Sequence, residues 1–257
     1  MRERRSQRDG TQTAPPAAST GRWVGVSSKT SPANALLIQL PPPDLDALNL
    51  QPVEYPRQRH LARRGGVTEH IYFLDSGVAS IVAAPDSAGH RVEIAMVGRE
   101  GAVGLTAVMG PARAPYDTIT LLAGRGWRAP VEAVASAFQT REAVRACIFE
   151  YMQALLLQVS VAAAVNARNK AEERLARWLL MAHDRAEDDE LAVTHDTIAQ
   201  LLSVRRAGVS VALKQLENKG LIAGRRGAIH IVDRQGLVAT ANGAYTSADE
   251  HMRRPSV

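Results

Sequence analysis

THDTIAQLLSVRRAGVSVALKQL, residues 194–216, is the stretch on which the fold turns. It predicts two short amphipathic helices joined by a tight turn near Ser203, the second opening on Arg205 and Arg206. Ile198, Ala199 and Leu202 share one face of the first helix, and Val209, Leu213 and Leu216 one face of the second, at the spacing an apolar helix stripe needs. Ala199 is small where two crossing helices must come close, and Val204 stands where a side chain would fill the corner. The pattern is that of a helix-turn-helix.

With that stripe buried, the outer face of the second helix carries Ala207, Ser210, Val211 and Lys214, and Arg205 and Arg206 project from its first turn. A recognition helix enters the major groove N-terminus first, where arginine can bond guanine O6 and N7 and small apolar groups can meet thymine methyls. Arg206, Ala207 and Val211 match that division of labour. The plainer reading is a solvated helix of some other small helical domain. ENKGLIAGRRGAIHIVDR, residues 217–234, weighs against it. A helix end at Gly220 is followed by two β runs, Leu221–Ala223 and Ala228–Val232, around a Gly-Arg-Arg-Gly turn. Such a hairpin is a wing, with Arg225 and Arg226 at its tip for a backbone phosphate. Thr194, at the mouth of the first helix, completes the candidate DNA-contacting set. From Thr194 to Arg234 there are seven Lys/Arg against three acids, a net +4, where the whole chain has +5. Local positive charge of this kind supplies the salt-dependent, sequence-independent part of DNA affinity.

At 257 residues the chain has room for two modest domains, and aromatics at 4% leave aliphatic and alanine packing to fill their cores. A single cysteine, Cys147, excludes an intramolecular disulfide and any cysteine-only zinc or iron–sulfur site within one chain. The usual behaviour of free cysteine favours a small buried hydrophobe on a helix over a redox sensor. The longest apolar run, Ala154–Val165, is interrupted by Gln158 and falls short of a membrane span. No apolar signal core follows the basic N-terminus, so a cytoplasmic protein is expected. Residues 1–32 read as a disordered basic tail, with four arginines in the first eight residues. A plain solubilising tail or a mis-assigned start is favoured over a DNA-attracting arm.

Between Ala35 and about Val134 the signals turn to β. Apolar runs at His70–Leu74, Val78–Ala83, Val92–Val97 and Ile119–Leu122 alternate with turns at 75–77 and 98–101, the pattern of a sandwich, roll or barrel. His60, His70 and His90 show no metal-ligand spacing, and no serine or cysteine nucleophile motif is present, so neither a metal site nor an enzyme is expected. Arg141–Asn166 lacks proline and glycine. Val144, Ile148, Tyr151, Leu155, Ala162 and Val165 recur along it at three, four or seven, a spacing that can seam two identical helices. A dimer interface through Val144, Ile148, Tyr151, Leu155 and Ala162 is favoured over a core helix of one subunit, because helix-turn-helix proteins commonly read paired half-sites. A second helix, Lys170–His183, turns Leu175, Trp178, Leu179 and Ala182 to one side to dock the DNA-binding part. Asp184–Glu190 reads as an acidic, solvated link.

This order of elements resembles the CRP/FNR family of bacterial transcription regulators, across roughly residues 35–238. The most specific segments are NKAEERLARWLLM (169–181) and 194–233, within which VRRAGVS (204–210) and GLIAGRRGAIHIVDR (220–234) look like one branch of the family. The resemblance implies an α+β chain. Its parts would be a cyclic-nucleotide-binding-like β-roll, jelly-roll-like, at 33–139, a dimerisation helix at 140–168, a winged helix-turn-helix at 169–238 and a flexible tail at 239–257. It also implies a homodimer on a near-palindromic promoter site and contact with RNA polymerase. On it, Arg206 stands at the family's main guanine-reading arginine, while Ala207 and Val211 replace a glutamate and a second arginine of the cyclic-AMP-responsive members. A different half-site is therefore expected. Ser203 replaces the usual turn glycine and would cost on the order of 1 kcal/mol if its φ is positive.

The sensor half departs further. Family members that bind cyclic AMP hold the ribose with a Gly-Glu pair and the phosphate with an Arg-Ser pair, since an anionic phosphate wants a guanidinium and backbone N–H groups. Here the turn is Gly98-Arg-Glu-Gly101-Ala-Val-Gly104, with Ala102 at the glutamate position. The Arg-Ser position falls on residues 114–117, Ala-Pro-Tyr-Asp. Gly101, Ala102, Gly104 and Arg113 are the weak candidate effector set, and cyclic nucleotide is disfavoured. Nothing in the spacing asks for haem, and no cofactor is expected. The competing reading is a ligand-binding or protein-interaction module whose winged helix does not read DNA; exposed Arg205, Arg206 and Lys214 speak against it.

Overall fold

A computed structural model of the chain describes residues 31–83, 91–246 and 249. The basic tail expected at 1–32 lies outside the described residues except for its last two, and so does His90.

The chain opens with two short helices, α1 (Ala35–Ile38) and α2 (Pro42–Asp46), and then builds eight strands. These are β1 (Gln51–Tyr55), β2 (His60–Ala62), β3 (His70–Leu74), β4 (Val78–Ala83), β5 (Val92–Val97) and β6 (Ala102–Val103), and after the helical turn α3 (Thr106–Met109), β7 (Asp117–Leu122) and β8 (Gly124–Pro130). They pair antiparallel into two four-stranded sheets, ordered β1-β8-β3-β6 and β2-β7-β4-β5, the roll expected from the spaced apolar runs. Val53, Tyr55, Leu61, Tyr72, Leu74, Ala79, Val97 and Val103 form one of its cores. Tyr55 is buried there with its hydroxyl donating to the Trp127 carbonyl at 2.7 Å.

β8 carries too many breakers to read as a strand, Gly-Arg-Gly-Trp-Arg-Ala-Pro. Its glycines are the reason it can be one. A Cβ on Gly126 would overlap the Phe73 carbonyl, and one on Gly124 the Ser76 backbone, so only glycine lets β8 lie so close to the β3–β4 turn.

α4 (Val131–Thr140) and the 27-residue α5 (Glu142–Arg168) follow. α4 begins at the end of the span read as β, and its Val131, Val134, Ala137 and Phe138 close a core with Ile71, Phe73 and Trp127. By length and mean hydropathy, 1.5, α5 could cross a bilayer, more than the run Ala154–Val165 suggested. One side of it is instead a core face: Val144, Ile148 and Tyr151 pack in the same cluster as Phe73 and Trp127. Gln158 is buried as well and accepts the Met96 backbone N–H at 2.8 Å.

α6 (Ala171–His183) buries every residue from Leu175 to Ala182, not one face. From Leu175 to Ala182 the helix is enclosed on all sides. Val78, Val82 and Met96 of the roll, Val209 and Leu213, and Leu237 all belong to the cluster that encloses it. After α6 come β9 (Glu190–Leu191), α7 (His195–Leu202), α8 (Arg206–Asn218), β10 (Ile222–Arg225), β11 (Ala228–Ile231) and α9 (Arg234–Thr240).

Two expectations fail in this half, the first in part. The stretch 184–190 is a solvated link only from Glu187 on: the Asp184 side chain is buried against Arg234 at 2.7 Å, Arg185 is buried against Glu100, and the exposed Glu190 forms β9 with Leu191. Nor is the segment after residue 238 free over its described part. Ala241, Ala244 and Tyr245 are buried, and Asp249 holds Arg177 in a buried pair at 2.7 Å. Apolar side chains at turn-like spacing and one acid suffice to tie the segment down, and neither gives a periodic signal.

Candidate nucleic-acid interface

The helix-turn-helix is built as its residues dictate. Thr194 caps α7, its Oγ1 accepting the Thr197 N–H at 3.2 Å. Ser203 ends the helix in the left-handed region, φ 51° and ψ 45°. Val204 N–H bonds the Ala199 carbonyl at 3.1 Å and Ser203 N–H that of Gln200 at 3.3 Å, a Schellman closure with serine where glycine would be unstrained. Val204 packs into the corner, and its methyl would sit 3.1 Å from a Cβ on Gly208, so that glycine permits the close turn. Ile198, Ala199, Leu202, Val209, Leu213 and Leu216 are all buried.

Outward, α8 presents Arg206, Ala207, Val211 and Lys214, all exposed, with Ser210 half-buried and Arg205 exposed at its N-cap. The wing follows a Gly220 C-cap at φ 71°. β10 and β11 pair in register from Ile222–Ile231 to Arg225–Ala228, which leaves Arg226 and Gly227 as the two-residue tip. This corrects the placing of both arginines at the tip. Arg225 is the last residue of β10 and is ion-paired with Glu190 on β9, a third strand that widens the wing. Three more cations of this half hold acids: Arg206 with Asp196 at 2.7 Å, Lys214 with Glu217 at 3.3 Å, and Lys219 with Glu172 at 2.7 Å. Arg205 and Arg226 have no ion pair among the described residues.

Residues 173–240 match the family model of the Crp-like helix-turn-helix domain. Over this stretch of 68 residues the chain is similar to Crp-like helix-turn-helix domains. No curated protein sequence matches the chain. Among solved structures it is similar to FixK2 from Bradyrhizobium japonicum, with a TM-score of 0.64 and 19% identity over 74% of this chain and 96% of that one. A CRP-family transcriptional regulator of Thermus thermophilus superposes with a TM-score of 0.63 at 21% identity, over 76% and 98%. A CRP/FNR-family regulator of the same organism does so with 0.60 at 19%, over 74% and 98%. The β-roll, long helix and Crp-like domain thus form one CRP/FNR fold.

The roll and the Crp-like domain meet at Glu100 and Arg185. The Arg185 Nε donates to Glu100 Oε1 at 2.7 Å, with both side chains almost wholly enclosed. Beside them, the half-buried Glu93 accepts the Ser80 hydroxyl in a narrow space lined by Arg174, Arg177 and Trp178. Withdrawal from water pushes its carboxyl up to about 7. No sequence motif marked these contacts.

The candidate effector residues separate. Ala102 and Gly104 line a small cavity of about 50 Å³ between the roll and α5, together with Ile81, Tyr116, Met152 and Leu155. Gly101 does not: a Cβ there would overlap the ring of the buried Tyr151. Arg113 turns away and donates to the Gly65 carbonyl at 2.7 Å. Among the described residues the lining carries no charged side chain, and its volume holds a few waters rather than a nucleotide.

The dimer residues separate as well. Val144, Ile148, Tyr151 and Ala162 are buried within their own chain, and Leu155 borders the cavity. Val144, Ile148 and Tyr151 pack toward the roll, and Leu155 stays half-buried at the cavity. The outward stripe of α5 is Phe149, Gln153, Leu156, Ser160, Ala163 and Ala167, flanked by Leu157. Phe149, Leu156 and Leu157 are 55%, 67% and 51% exposed. Cys147 is half-buried, and burial pushes its thiol up to about 11, as a packed hydrophobe and not a reactive thiol. Burial lowers the pKa of His60 and His70, and among the described residues no cluster could hold a metal ion.

Proposed function

We propose that the chain is a sequence-specific DNA-binding transcription regulator that acts as a homodimer on a near-palindromic promoter site. The observation that carries this reading is the outer face of α8 within a Crp-like domain. Arginines stand at its N-terminal end, small and apolar groups follow, and the wing tip projects Arg226 beyond it. Arg206 reads guanine; Ala207 and Val211 meet thymine methyls. Arg205, Thr194, Ser210, Lys214 and the wing arginines position the domain on the backbone.

Two copies join along the outward stripe of α5. Its alternating four-three spacing from Phe149 to Ala167 is the 3.5-residue repeat of a two-helix seam, and its exposed leucines favour burial. RNA polymerase is the further partner that the architecture suggests. The protein works in the cytoplasm and is not an enzyme. The uncharged cavity disfavours a cyclic nucleotide, and any effector of the roll remains unidentified.

The test is selection of random double-stranded DNA on the purified, ligand-free protein. An enriched palindrome supports a dimeric reader, and Arg206→Ala should then weaken that site by about 1–3 kcal/mol while sparing random DNA. Equal loss on both would refute base reading. No enrichment from folded protein, with or without cell extract as a source of effector, would favour a protein-interaction module.

A further inference from the structure

Arg206 does not stand alone on α8. Its Nε lies 2.7 Å from Asp196 Oδ1 on α7, with side chains 71% and 62% exposed. An acid here is costly for a DNA-binding surface, because it faces the same phosphates that the neighbouring cations attract. A simpler role exists for it. Asp196 lies in the first turn of α7, where the helix dipole favours a carboxylate. That role needs no contact with α8. It also does not explain why the paired cation is the one placed for base reading, while Arg205, its neighbour, has no ion pair among the described residues.

The geometry of the guanidinium matters. Arginine can present either its terminal fork, Nη1 and Nη2, or a side edge that includes Nε. With Nε in ion-pair contact with Asp196, the terminal fork is left to meet guanine O6 and N7 end-on. We infer that Asp196 is a positioning residue for specificity, holding Arg206 end-on toward guanine and away from the phosphates. The inference rests on the base-reading role of Arg206 proposed above. Two effects of opposite sign follow. Without Asp196, Arg206 is free to swing to a phosphate and one negative charge leaves the interface, so random DNA binds more tightly. The preference for guanine at the position Arg206 reads then falls, because the fork is no longer held in one orientation.

The test compares wild type, Asp196→Ala, Asp196→Asn, Arg206→Ala and the Asp196→Ala/Arg206→Ala double variant. Each is titrated with the selected duplex, a duplex changed at the guanine, and a random duplex, over a range of salt. Thermal melts report folding, and Asp196→Asn serves if the alanine variant does not fold. The expected result for Asp196→Ala is a guanine preference lower by on the order of ten-fold. Affinity for the random duplex should rise, with a salt slope steeper by about one. In the Arg206→Ala background, Asp196→Ala should change base preference no further. A uniform loss on all duplexes, or an unchanged preference, would overturn the inference and leave Asp196 a helix-terminus acid. If Arg206→Ala itself leaves the guanine preference intact, the base-reading assignment fails and Asp196 positioning fails with it.

Discussion

Removing Arg185 should cost the protein more than removing any arginine of the DNA face. Its guanidinium and the Glu100 carboxylate are 2.7 Å apart, with side chains 1% and 7% exposed. Among the described residues, Glu100 otherwise accepts the Gly98 N–H at 3.0 Å, and Arg185 otherwise donates to the Met181 carbonyl at 2.9 Å. Taking one partner away leaves the other charge buried with a single hydrogen bond, a loss of about 3–5 kcal/mol. Exchanging both for apolar groups removes the desolvation cost together with the attraction and should be near neutral. Arg185→Met should therefore lose about 3–5 kcal/mol, Glu100→Leu a similar amount, and the double variant much less than their sum. Urea unfolding followed by circular dichroism gives the three values. Losses under about 1 kcal/mol that add in the double variant would refute the reasoning.

Further outcomes follow from the site and its supports. Leu156→Glu should dissociate the dimer, since burying the exposed part of two leucines is worth roughly 2–4 kcal/mol per dimer; sedimentation equilibrium measures it, and an unchanged association constant would place the seam elsewhere. Arg226→Ala should weaken all DNA alike and lower the salt slope by about one, whereas altered base preference would take the wing off the phosphate. Gly101→Ala should destabilise the roll by about 1–3 kcal/mol through overlap with Tyr151, a loss visible in thermal melts without any ligand. Glu93 has its folded pKa raised to about 7 from the ordinary 4.5, so the folded state binds the proton more tightly and stability falls as pH rises between those values. Glu93→Gln should thus be neutral near pH 4.5 and stabilising by a few kcal/mol at most above pH 7; a benefit confined to acid would reverse the sign.

The helix-turn-helix and wing were legible because one solvated face and one buried face leave a periodic trace. β3, β4 and β5 were legible for a related reason, as apolar runs between turn residues. β8 was not, because its glycines answer to a neighbouring backbone and not to its own conformation. α5 misled for a different reason. It carries two stripes at nearly the same spacing, Val144-Ile148-Tyr151 toward the roll and Phe149-Leu156-Ala163 away from it. Periodicity finds a stripe but not what covers it, and the buried polar Gln158 beside the exposed Leu156 inverts the usual assignment. The Glu100–Arg185 pair joins residues 85 apart in sequence, and no local pattern marks such a contact.

α6 has no outside. Its enclosing cluster draws on Val78, Val82 and Met96 far upstream, and Arg177 is held by Asp249 beyond the last residue of the family match. The stretch of the family match, residues 173–240, therefore lacks part of what covers α6. A fragment trimmed to those bounds would turn an apolar helix face to water and take Asp249 from Arg177, and it should aggregate where the full chain does not. Any transplant of this DNA-binding specificity into another regulator has to carry a substitute for the roll surface with it.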